Sequence, residues 1–72
     1  MKDQVTHPDF KVGDRVVVST TRAWLKQYND VAGTIERLGS AGDMIMLHVR
    51  FDDGYNTVMT LMPQDVKLAG DL

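Results

Sequence analysis

A chain of 72 residues with a formal net charge of −2 holds one domain at most, and its charge balance argues against a general polyanion binder. It has no cysteine, so neither a disulfide framework nor a thiolate metal site supports it. No apolar run approaches the roughly 20 residues of a membrane span, and MKDQVTHPDF at the N-terminus lacks the apolar core of a signal peptide. The expectation is a cytoplasmic globular domain without membrane insertion. Charge is uneven: residues 1–28 carry five cations and three acids, and residues 29–72 carry three cations and seven acids. Such asymmetry can orient a partner.

In chain order, residues 1–9 form a polar lead-in, where Pro8 discourages regular structure. From Phe10 the pattern is β. FKVGDRVVV ends in three valines, with Val16 and Val18 on one face, and Gly13-Asp14 turns the chain into that strand. A long connection follows, and VAGTIERL is the second strand candidate, with Val31 and Ile35 on one face. GSAGD, residues 39–43, has the composition of a turn. MIMLHVRF is the clearest strand: Ile45, Leu47, Val49 and Phe51 alternate with Met44, Met46, His48 and Arg50. A three-residue loop with a left-handed Gly54 then pairs Phe51 with Tyr55, Val49 with Thr57, Leu47 with Met59 and Ile45 with Leu61. A slip of one residue would reverse every side chain, so the apolar sets choose this register. Pro63-Gln64-Asp65 reads as one helical turn, Val66-Lys67-Leu68 as a short last strand, and residues 69–72 as a frayed end. Five short strands with a long first loop predict an all-β domain, a small bent barrel over residues 10–68.

The long loop TTRAWLKQ holds the only tryptophan, and no acid lies between Arg15 and Asp30. If the loop is extended, Arg22, Trp24, Lys26 and Tyr28 point to one side as alternating cations and aromatics. Such a surface takes a phosphate backbone and stacks bases, or holds an acidic protein segment. If it forms a helical turn, Trp24, Leu25 and Tyr28 share a face and pack down on the barrel. Arg22 and Lys26 are then the stronger binding candidates. The outer face of the long hairpin is the second candidate surface. It presents Met44, Met46 and Met62, with Val58 opposite His48, and methionines on an outward face adapt readily to a partner.

The residues do not assemble into catalytic machinery by spacing. His7 lies in the lead-in and His48 on a strand, neither with a defined orienting partner. Two distant histidines and scattered carboxylates match no metal-ligand spacing, and no glycine-rich phosphate loop precedes a helix. Asp52-Asp53 fits a hairpin turn. The expectation is a non-enzymatic protein without a cofactor.

FKVGDRVVV, a long loop, VAGTI, a hairpin strand ending in VRF and then PQDVKL together resemble the SH3-like barrel superfamily. Within it, YNDVAGTI followed by LHVRF resembles the photosystem I subunit IV family, although Ala32 here is an extra residue before Gly33. The same region is similar to KOW-type modules of translation and transcription proteins. FKVGDRV followed by Ala23-Trp24 is also similar to the small plasmid-borne dihydrofolate reductases. That family has a late Val-Gln-Ile-Tyr run, and Val58-Met59-Thr60-Leu61 lacks its Gln and Tyr, so the activity does not carry over. The resemblance implies a fold more than a function. It leaves two expectations. One is a protein-interaction module or accessory subunit, or a self-associating chain, binding through Met44, Met46, His48 and Met62 with Arg22 and Lys26 steering an acidic partner. The other is a KOW-like nucleic-acid binder using Arg15, Arg22, Trp24, Lys26 and Tyr28.

Overall fold

Five strands form one antiparallel sheet in the computed structural model, which describes residues 6–71. They are β1 (Arg15–Val18), β2 (Ala32–Ala41), β3 (Met44–Phe51), β4 (Val58–Leu61) and β5 (Val66–Leu68). Their order across the sheet is β4-β3-β2-β1-β5. The all-β class, the long first loop and the helical turn before the last strand match the sequence reading. The sheet does not close on itself. After Leu61 the chain leaves the strand direction through a 3-10 turn at Pro63–Asp65, and Val66 joins β1 on the far side. Pro63 has no N–H to extend the β3–β4 ladder, and β4 and β5 are the two edges of the sheet.

Period-two alternation sets the inner face. Val16 and Val18 of β1, Ile35 of β2, Leu47, Val49 and Phe51 of β3, and Leu61 of β4 are all buried. Phe10 and Val66 complete the core, and Met59 and Ile45 pack against it. The sheet can curl over this core because β2 carries almost no side chain where it crosses β3. A Cβ on Gly33 would stand 2.6 Å from the Arg50 carbonyl oxygen and 2.7 Å from Val49 Cγ1, closer than real contacts allow. Three residues later the β2–β3 register shifts between Ile35 and Arg37, a bulge that bends the strand further.

Both hairpins differ from the sequence reading in detail. GSAGD is not a turn throughout: Gly39, Ser40 and Ala41 stay in β2, and only Gly42-Asp43 connects it to β3, with Ala41 opposite Met44. Gly42 takes the positive φ of 64° that so tight a connection needs. The β3–β4 connection is longer than expected. The Phe51 amide donates to the Thr57 carbonyl at 2.8 Å, and Leu47 faces Leu61, His48 faces Thr60, Val49 faces Met59 and Arg50 faces Val58. The expected pairs of Phe51 with Tyr55 and Ile45 with Leu61 are therefore displaced by two residues. Asp53 accounts for the extra length. Its Oδ1 accepts the Tyr55 amide at 2.8 Å and the Thr57 amide at 3.4 Å, and this side-chain cap holds the wider loop. A shift of two keeps every side chain on its expected face.

At the ends, Phe10 is buried and His7 stacks near it, with ring centroids 5.3 Å apart. Residues 69–71, expected to fray, form a 3-10 turn. The first five residues of the expected lead-in and Leu72 lie outside the described residues.

Candidate interaction surfaces

The loop after β1 is a 3-10 helix, Ala23–Tyr28, so residues three apart share a face. Leu25 is fully buried at 0% exposure, and Tyr28 lies against Phe51 with ring centroids 5.5 Å apart. The extended arrangement of Arg22, Trp24, Lys26 and Tyr28 on one side is thus replaced by a helical one. Its anchors are Leu25 and Tyr28, and Trp24 is 63% exposed. Trp24 does not cover an end of the sheet: Leu25 takes that place, which turns the neighbouring side chain outward. Lys26 is exposed on the same turn.

Arg22 and Met62 are both half-buried and in contact. Arg22 Nε donates to Asp65 Oδ2 at 3.0 Å, and its Nη2 donates to Met62 Sδ at 2.9 Å. Asp65 is only 5% exposed and also accepts the Thr20 hydroxyl at 2.8 Å. Asn29 completes the knot: its Oδ1 accepts the Thr20 amide at 2.8 Å, and its Nδ2 donates to the Thr20 carbonyl at 3.1 Å. A buried carboxylate needs such partners. The result fastens both ends of the loop to the Pro63 turn. Met62 therefore accepts from Arg22 at the end of β4. Thr20, Asn29 and Asp65 were not singled out in the sequence, and no spacing signal connects them.

The outer face of the hairpin is the second surface. His48 stands opposite Arg37, and its ring reaches over Gly39, which pairs with Met46: a Cβ on Gly39 would stand 2.9 Å from His48 Nε2. Thr60 Oγ1 lies 3.2 Å from His48 Nδ1, and Arg37 Nη2 lies 3.5 Å from Nε2. Val58 stands opposite Arg50, not His48 as expected, because of the wider loop. Met44 is 42% and Val58 49% exposed, with Met46 half-buried between Met44 and His48 along the strand. Met44 and Met46 face Ala41 and Gly39 across the β2 ladder, whose small side chains leave the methionines uncovered on that side. Next to them an open groove of about 320 Å³ is lined by His7, Pro8, Met44, Ile45, Pro63 and Gln64, together with Asp43.

Most cations on this face are already paired. Arg15 forms an ion pair with Asp52 and donates to Thr34 Oγ1 at 2.9 Å. Arg50 forms an ion pair with Glu36, with Nη2 to Oε2 at 3.1 Å, and reaches the Asn56 carbonyl at 3.3 Å. The hydrogen bond from Arg15 holds the Asp52 carboxyl below the usual carboxylate range. The Thr57 side chain, followed by the Tyr55 amide, does the same for Asp53. Arg37 has no carboxylate partner among the described residues and is open to a partner's acid beside His48. The bulge before it hid its facing from simple alternation.

Among the described residues no group of three or more His, Asp or Glu side chains is placed to hold a metal ion. No helix among them is long and apolar enough to cross a membrane. No protein-family model matches the chain, and neither does any curated protein or solved structure.

Proposed function

We propose that this chain is a non-enzymatic protein-interaction module, SH3-like in kind, that docks a protein partner on the outer face of β2, β3 and β4. The observation that carries the reading is the outward row of Met44, Met46 and His48 along β3, with exposed Val58 on the neighbouring strand and Arg37 opposite His48. Flexible thioethers adapt to a partner's shape, and one open guanidinium favours an acidic contact at the rim. Arg37 takes the steering role expected of Arg22, since Asp65 already holds Arg22. The test is Met46→Asp. Proteins retained from a cell extract by the immobilised wild-type chain are expected to be lost from this variant, with stability changed by no more than about 1 kcal/mol for a half-buried surface position. Equal retention by both chains would reject the docking face.

One observation supports a second reading, a KOW-like nucleic-acid binder. Trp24 is exposed beside Lys26 on a turn that Leu25 and the Asp65 knot hold in place. A fixed, exposed indole is a platform on which a base can stack, and each such contact is worth about 1–3 kcal/mol. Mobility-shift titrations with single- and double-stranded DNA and RNA at low and physiological salt separate the two readings. Under the second, affinity falls steeply with salt and drops roughly tenfold or more in Trp24→Ala. Binding that is absent at low salt, or unchanged in Trp24→Ala, would remove it.

A further inference from the structure

Among the described residues, the β4 edge carries no charge and meets no backbone partner on its outer side. In an antiparallel pair, opposed residues alternate between those that exchange hydrogen bonds and those that do not. The bonded Phe51–Thr57 contact sets the phase, so Met59 and Leu61 bond inward to β3. The N–H and C=O groups of Val58 and Thr60 then point outward, and no backbone partner meets them among the described residues. Natural edges are blunted with lysine, inward charges, bulges, covering loops or short length, and β4 among the described residues has only its four-residue length. The opposite edge strand, β5, carries Lys67. Around β4 the sequence is uncharged from Gly54 to Gln64, and Pro63 comes only after the strand has ended.

We propose that β4 is a self-pairing edge, joining antiparallel to β4 of a second copy. Its neutrality favours this occupant, because two identical uncharged edges meet without burying a charge or opposing like charges. In the fitting register Val58 faces the partner copy's Thr60 and Thr60 faces its Val58. The outward groups then exchange four hydrogen bonds, and the two Met59 residues meet on the two-fold axis. That axis is perpendicular to the sheet, so the contact is isologous and closes at two chains. Both outer faces lie on the same side, which sets two His48–Met46 clusters side by side on a ten-stranded surface. The pairing uses the strand edge and stands or falls separately from the docking face proposed above.

Thr60→Pro is the discriminating variant. It removes an outward N–H while leaving the inward ladder of Met59 and Leu61 to β3 intact, a placement that edge strands tolerate. Sedimentation equilibrium of the wild-type chain over rising concentration is expected to show mass increasing from 8.1 kDa toward twice that value. Thr60→Pro is expected to weaken association at least roughly tenfold. Val58→Lys, which places a charge on the edge without touching the backbone, is expected to do the same and guards against misfolding of the proline variant. Amide exchange at Val58 and Thr60 is expected to slow as concentration rises. A wild-type mass fixed at that of one chain up to millimolar concentration would overturn the proposal. So would dimers that form equally well in folded Thr60→Pro and Val58→Lys. Met46→Asp lies off the edge and should leave the dimer unchanged, so loss of the docking face and loss of the dimer are distinguishable.

Discussion

Phe51→Ala is expected to lower the unfolding free energy by about 3–5 kcal/mol, as truncating a buried aromatic does. Phe51 is fully buried, faces Gly33 across β2, and carries Tyr28 of the loop turn on its ring. The truncation thus opens the core and removes the seat of the loop in one step. A domain of 72 residues has a total stability of about 4–11 kcal/mol. A large share of that margin would go. Urea unfolding followed by circular dichroism measures the loss, and a change below about 1 kcal/mol would mean that Phe51 is not central to the core. Phe51→Leu, which retains much of the volume, should cost less.

Asp65→Ala has the second largest expected effect, about 2–3 kcal/mol. The Thr20 hydroxyl loses its acceptor in a buried place, and Arg22 loses its carboxylate. Arg22 is partly exposed and can turn to water, which keeps the cost below that of a fully buried pair. Asp65→Asn keeps an oxygen for Thr20 and removes only the charge, so it should fall between wild type and Asp65→Ala. The effect should be largest in the loop. The Leu25 amide donates to the Arg22 carbonyl at 3.0 Å and the Asn29 amide to the Lys26 carbonyl at 3.0 Å, and both should exchange with solvent faster in Asp65→Ala. If loop exchange is unchanged in that variant, the knot does not hold the turn.

The parts of the fold that were legible in the sequence are those governed by local patterning. Alternation in MIMLHVRF identified Leu47, Val49 and Phe51 as inward, and a displacement of two residues in the hairpin left that assignment intact. Pro63 gave the position of the last turn and, through it, β5. The loop was harder because Arg22 to Tyr28 fits both period two and a spacing of three, and packing of Leu25 and Tyr28 decides between them. The partners of Arg22 lie far along the chain, at Met62 and Asp65, and nothing near Arg22 announces them. Arg22 and Met62 of the expected contact set are thus bonded to each other and half-buried, as Tyr28, Met46 and His48 are half-buried, while Trp24, Lys26 and Met44 are exposed. Arg37 escaped notice because a bulge precedes it, and the free edge of β4 depends on strand order, which no local pattern records.

Trp24 also determines what can be seen of this protein by its own fluorescence. The sole indole is 63% exposed in the native chain, so its emission should already be red-shifted and should change little on denaturation. Intensity and wavelength at this residue would follow contact at the loop, and far-ultraviolet dichroism would follow the sheet. One chain thus carries two separable optical signals. A ligand settling on the turn would move the emission toward the blue with the dichroism unchanged.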